Sequence, residues 1–86
     1  MSYRIVRVFA YSGYRGEELP RAIVIGDQRI DVVEILELWV EEGFEDRSRR
    51  RFFKIRGSDG EVRELRYDEE EKEWRLLTIE PKSLKT

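Results

Sequence analysis

The sequence predicts an all-β domain, a small antiparallel SH3-like barrel of five to six strands. Three observations carry that prediction. Runs of β-branched and aromatic residues recur at 3–10, 21–25, 50–56, 61–67 and 74–79, each bounded by glycine, proline, serine or acidic residues. The connections between several of them are short and carry turn residues, as in Gly26-Asp27 and Gly57-Ser58-Asp59-Gly60. The 86 residues suffice for one core only, because half the chain would fall near the roughly 40-residue limit for unaided folding. Short strands in so small a chain must curl on themselves, since a flat sheet would bury one face alone.

Residues 3–10 (Tyr-Arg-Ile-Val-Arg-Val-Phe-Ala) read as a first strand, with apolar residues set around Arg4 and Arg7. Residues 12–20 hold Ser12, Gly13, Gly16 and Pro20 and read as a loop, after which a short strand at 21–25 leads into a hairpin turn at Gly26-Asp27. Residues 28–42 fit two templates. A helix over about 31–42 would put Val32, Ile35, Leu36, Trp39 and Val40 on one face and four glutamates on the other, giving an α+β fold. A strand would put Ile30, Val32, Leu36, Leu38 and Val40 on one face, with Glu34 out of place unless a bulge near Val32-Val33 mends the register. The strand is preferred, because a hairpin turn at Gly26-Asp27 must pair the residues after it with the strand before it.

Residues 50–56 place Phe53 and Ile55 toward the core, and 61–67 return from the Gly57–Gly60 turn with Val62 out of phase with Leu65 and Tyr67, which predicts an irregularity there. After the acidic connector 68–73, Trp74, Leu76 and Thr78 share one side of the last strand. The expected core is Ile5 or Val6, Val8, Ile23, Ile25, Val32, Ile35, Trp39, Phe53, Ile55, Leu65, Tyr67, Trp74 and Leu76. One β domain is expected over 1–80, with a polar tail at 81–86.

Composition narrows the function. The chain has no cysteine and no histidine, which removes disulfides, thiolate zinc sites, thiol nucleophiles and imidazole bases together. No catalytic, cofactor or metal residues are assigned, and the expectation is a chain that is not an enzyme and needs no cofactor. Glycines 13 and 16 are not followed by the lysine and hydroxyl residue of a phosphate loop, and the acids at 68–73 lack the ligand spacing of a calcium loop. A packed barrel of this size leaves little room for a small-molecule substrate cleft. No apolar run reaches the roughly 18 residues of a membrane span, and Arg4 and Arg7 interrupt the N-terminal run, so a cytoplasmic protein without a membrane partner is expected. Arginine outnumbers lysine thirteen to four, asparagine is absent and Gln28 is the only glutamine. Such scarcity of labile amides in a densely charged chain suits heat and predicts a thermal midpoint above about 65 °C, to be checked by circular dichroism.

Charge is distributed in blocks. Residues 27–46 carry −7 and residues 47–67 carry +5, within a total of only −2 and a pI near 5.3, so any nucleic-acid contact would have to be local. The candidate binding strip is Arg47, Arg49, Arg50, Arg51, Phe52, Lys54 and Arg56, six bases with no acid between them and with aromatic rings interleaved. That pattern suits single-stranded nucleic acid, with arginines on phosphates and a ring for stacking. The competing reading pairs the acidic block with the basic one, so that Glu34, Glu37 and Glu41 neutralise the arginines across a strand pair. A second candidate is the loop with Tyr11, Tyr14 and Arg15, whose tyrosines could instead close one end of the barrel.

Tyr11-Ser12-Gly13-Tyr14, Glu18, Pro20, Val32, Ile35, Trp39, Phe53-Lys54-Ile55, Gly60, Leu65-Arg66-Tyr67 and Trp74-Arg75-Leu76 form an ordered set covering most of the chain. In that set the chain resembles a group of small bacterial proteins of unknown function. Its second half is similar to the domain of unknown function at the C-terminal end of some catalytically degenerate Y-family polymerase relatives in mutagenic repair. The resemblance implies a β fold and a DNA repair or replication context, and transfers no catalytic residue. Together these readings lead to a non-catalytic module that binds a protein partner or its own copy. The alternative is a nucleic-acid-associated accessory domain that uses the basic strand.

Overall fold

The computed structural model describes residues 2–12, 18–43 and 48–78, and among them the chain is all strand and turn. Seven strands form: β1 (Ser2–Ile5), β2 (Arg7–Ser12), β3 (Glu18–Ile25), β4 (Gln28–Glu42), β5 (Arg49–Gly57), β6 (Val62–Asp68) and β7 (Glu73–Thr78). They make one antiparallel sheet in the order β1-β7-β6-β5-β4-β3-β2. The two ends of that order, β1 and β2, are separated in the chain by Val6 alone, so the sheet must curl until its edges approach each other. Val6 sits at the join, its N–H donating to the Trp74 carbonyl at 3.1 Å. The result is a half-barrel of the expected small-barrel class, with seven strands rather than five or six because residues 3–10 divide at Val6 to serve two neighbours. No described helix is long and apolar enough to cross a membrane.

Local chemistry sets the turns. Gly26 adopts φ 62° at the first position of the two-residue loop between Ile25 and Gln28, a conformation open to glycine without steric cost. At the second hairpin the Gly60 N–H donates to the Gly57 carbonyl at 2.9 Å, and Gly60 takes φ 86°. The Asp59 carboxylate accepts from both terminal nitrogens of Arg63, at 3.1 and 2.8 Å, and from the Glu61 N–H at 3.1 Å. Those bonds, the Arg63 pair first, hold its carboxyl down at about 2. Pro20 has no N–H to give β2, and the β2–β3 register slips beside it, between Phe9 and Ala10.

Gly57 is required for a different reason. A Cβ there would lie 2.7 Å from Ile30 Cγ2 and 2.9 Å from Asp59 Oδ1. Gly57→Ala is therefore expected to cost about 1–3 kcal/mol through overpacking, lowering the thermal midpoint by on the order of 10 °C. An unchanged melt would show that the turn gives way freely.

β4 is a strand throughout, so the helical alternative over 31–42 does not form. Its register slips twice against β5, between Val32 and Glu34 as expected, and again between Ile35 and Glu37. The first slip carries Ile35, not Leu36, onto the inward row with Ile30 and Val32, and the second returns Leu38 and Val40 to that row and turns Trp39 outward. The core is Ile23, Ile30, Phe53, Ile55, Leu65 and Trp74, with Val6, Val8, Leu19, Ile25, Val32, Tyr67 and Leu76 packed against it. Ile5 (68% exposed), Ile35 and Trp39 are outside that core, whereas Ile30 and Leu19 join it beyond the expected set. The irregularity predicted around Val62 is absent: β6 pairs with β5 in continuous register, and Val62 simply faces outward.

Candidate interaction surface

The acidic and basic blocks do lie side by side, since β4 pairs with β5 along Glu34↔Arg56, Glu37↔Lys54, Glu41↔Arg50 and Glu42↔Arg49. Among the described residues, only Glu34 closes to an ion pair there, at 3.4 Å from Arg56 Nε. Three arginines turn the other way, toward the end of β6. Arg50 Nε lies 3.7 Å from Asp68, while Arg49 and Arg51 Nε lie 3.8 and 3.4 Å from Glu69. Asp68 is held for this purpose by the N–H groups of Glu70 and Glu71, which donate to its Oδ1 at 2.9 and 3.1 Å. The acidic connector thus takes over most of the neutralisation expected of Glu37 and Glu41. Across the same turn Arg75 binds Glu73 at 2.7 Å and reaches Glu71 at 3.8 Å.

Within the candidate strip, Arg51 and Phe52 are buried, Arg50 is half-buried, Arg49, Lys54 and Arg56 are exposed, and Arg47 lies outside the described residues. Phe52 is only 6% exposed because Trp39 stacks on it, with 5.2 Å between centroids and 4° between planes, and the Tyr3 ring meets it edge-on at 6.4 Å. The Arg66 guanidinium covers the Tyr3 ring at 4.3 Å. One row of the outer face therefore runs Trp39, Phe52, Arg66 across β4, β5 and β6, with Tyr3 leaning over it from β1. Neither Tyr3 nor Arg66 stands out in the sequence as a site residue. The two lie more than sixty residues apart in the chain, beyond any local pattern.

Tyr3 also reports on this face. Its hydroxyl donates to a Glu64 carboxylate oxygen at 2.6 Å, and burial first, then that bond and the Glu64 charge, push its pKa up to about 12. The unfolded chain loses the proton near pH 10 while the folded chain keeps it, so this contribution is complete below about pH 10 and disappears as pH rises toward 12. Tyr3→Phe should flatten the alkaline fall in thermal midpoint across that window; equal slopes in the two proteins would place Tyr3 in water.

In the loop candidate, Tyr11 is exposed and does not plug the barrel. The Arg21 guanidinium sits 5.5 Å from its ring centroid, and Tyr14 and Arg15 lie outside the described residues. Tyr11 instead borders a groove of about 240 Å³ with Leu19, Pro20 and Arg21 on one side and Val32, Val33, Glu34 and Ile35 on the other. This groove marks where β3 and β4 part. Their pairing covers only Ala22↔Asp31 to Ile25↔Gln28, so beyond Asp31 β4 has β5 on one edge and, among the described residues, no strand on the other.

The open edge is flanked by the exposed apolar residues Val33, Ile35, Leu38 and Val40. Glu37, Glu41 and Glu42 lie along it, and none forms an ion pair among the described residues. β4 is fifteen residues long, and β3, at eight, is too short to match it.

No family model, no curated protein and no solved structure matches the chain.

Proposed function

We propose that this chain is a non-catalytic interaction module that offers the open half of β4 to a protein partner or to a second copy. The exposed run Val33, Ile35, Leu38 and Val40 beside a sheet edge that no described strand pairs carries the reading, because such edges recruit further strands. The charge layout supports it over the nucleic-acid alternative. Arg49, Arg50, Arg51 and Arg56 each have a carboxylate within 4 Å, and Phe52 has its ring covered, so the basic strand itself keeps few free cations and no open Phe52 face for phosphates and bases. The nucleic-acid reading retains Lys54, which is exposed and forms no ion pair among the described residues, and the outer side of Trp39.

Fluorescence anisotropy with single-stranded DNA and RNA at low salt separates the two. The module reading expects no binding. Saturable binding that weakens with salt at a slope of about −0.7 per phosphate contacted would move the function to nucleic acid.

A further inference from the structure

We infer that the partner for the β4 edge is an extended segment of another protein in which apolar residues alternate with lysine or arginine, added as an extra strand beside residues 37–42. The inference rests on the module reading and specifies its partner. The backbone is set up for it. The Gly43 N–H donates to the Ser48 carbonyl at 2.9 Å, and the β4–β5 register runs without a slip from Glu37 to Glu42. Because successive residues of a strand aim their N–H and C=O to opposite edges, Glu37, Trp39 and Glu41 bond to β5. Leu38, Val40 and Glu42 aim theirs at the open side, where no described strand receives them.

The side chains define the partner's chemistry. On the inward face the edge offers Leu38, 47% exposed, and Val40, 40% exposed. On the outward face it offers Glu37 and Glu41, with Trp39 between them. A strand laid against it needs apolar residues on one face and cations on the other, and Trp39 can take a cation over its ring. The fold already contains such a strand on the opposite edge of β4. In β5 the outward Arg50, Phe52 and Lys54 stand opposite Glu41, Trp39 and Glu37, and the inward Arg51 and Phe53 stand opposite Val40 and Leu38. A second copy is the poorer occupant. Pairing two β4 edges about a two-fold axis would set Glu37, Glu41 and Glu42 of one chain against the same acids of the other, and like charges across strands repel.

The test uses the full chain and a fluorescein-labelled peptide of about eight residues alternating lysine and valine, a length matched to the edge. Three comparisons accompany it: a glutamate–valine peptide, the lysine–valine peptide N-methylated at alternate residues, and sedimentation velocity of the protein alone. Expected is saturable binding of the lysine–valine peptide, none of the glutamate–valine peptide, and loss on N-methylation. Val40→Pro removes one N–H on the open side and none from the β5 ladder, and should weaken binding about three- to tenfold with the circular dichroism spectrum retained. If that variant does not fold, the pair Glu37→Lys and Glu41→Lys takes its place and should abolish binding. Equal binding of the methylated and unmethylated peptides would overturn the inference, leaving only charge attraction. Absence of binding would overturn it too. In that event a dimer in sedimentation would keep the module reading with its own copy as partner, whereas a monomer would remove the support for both.

Discussion

Phe53→Ala is expected to leave the domain largely unfolded near physiological temperature. The Phe53 side chain has no exposed surface, lies in register between Leu38 and Leu65, and tilts against Trp74 at 5.4 Å and 39°. Removing a buried phenyl group costs about 3–5 kcal/mol, the lost transfer energy plus the cavity left where neighbours cannot collapse. A chain of this length holds in total about 4–13 kcal/mol, so the loss takes a large part of it. Urea titration followed by tryptophan fluorescence measures the effect, with Trp74 beside the cavity as reporter. Phe53→Leu should fall between the alanine variant and the parent. A cost under about 1 kcal/mol for alanine would mean that the sheet does not close over this residue as described.

Glu69→Ala should give the next largest loss. The Arg51 side chain is 7% exposed, and the Glu69 carboxylate reaches its Nε at 3.4 Å while also lying 3.8 Å from Arg49. Breaking a fully buried ion pair costs about 3–5 kcal/mol because the remaining charge stays desolvated. Glu69 is about a third exposed, so solvent screens part of the interaction, and about 2 kcal/mol is expected, a fall of on the order of 10 °C in the thermal midpoint. Arg51→Met in the Glu69→Ala background should restore part of the loss, since it removes the buried charge that Glu69 helps to neutralise. If Glu69→Ala alone melts within about 1 °C of the parent, the Arg51 charge is satisfied without Glu69.

Residues 28–42 support two templates in sequence for a reason visible in their register. Slips at Val32/Glu34 and Ile35/Glu37 space the inward residues Val32, Ile35 and Leu38 three apart, and spacing of three is also what a helix face produces. A strand with two bulges therefore imitates helical periodicity. One bulge is legible because Glu34 would otherwise sit on the inward row. The second is not, because one bulge alone already gives an alternation with Ile35 and Trp39 inward and only Glu37 out of step. Trp39 changes face with it, from an expected core residue to the partner of Phe52 on the outer surface.

The candidate strip is legible as a charge pattern, but its partners are not. The juxtaposition of the two blocks follows from consecutive antiparallel strands, which sequence order alone implies. The choice of Asp68 and Glu69 over Glu37 and Glu41 does not. It depends on β6 flanking β5 on its other side and on the turn after β6 bringing its acids back over Arg49, Arg50 and Arg51.

By itself the sequence determined the all-β class, the turns at Gly26-Asp27 and Gly57–Gly60, the first bulge in β4 and the inward direction of Phe53, Ile55, Leu65 and Trp74. Each of these follows from steric and solvation preferences acting over a few neighbouring residues. Only the tertiary structure decided that the N-terminal strand divides at Val6 to join both ends of the sheet, which acids neutralise which arginines, and that β3 leaves β4 after Asp31 and exposes its edge. Those outcomes depend on how strands distant in the chain compete for the same edges and faces, and that competition is settled by the curvature of the whole sheet rather than by any one segment.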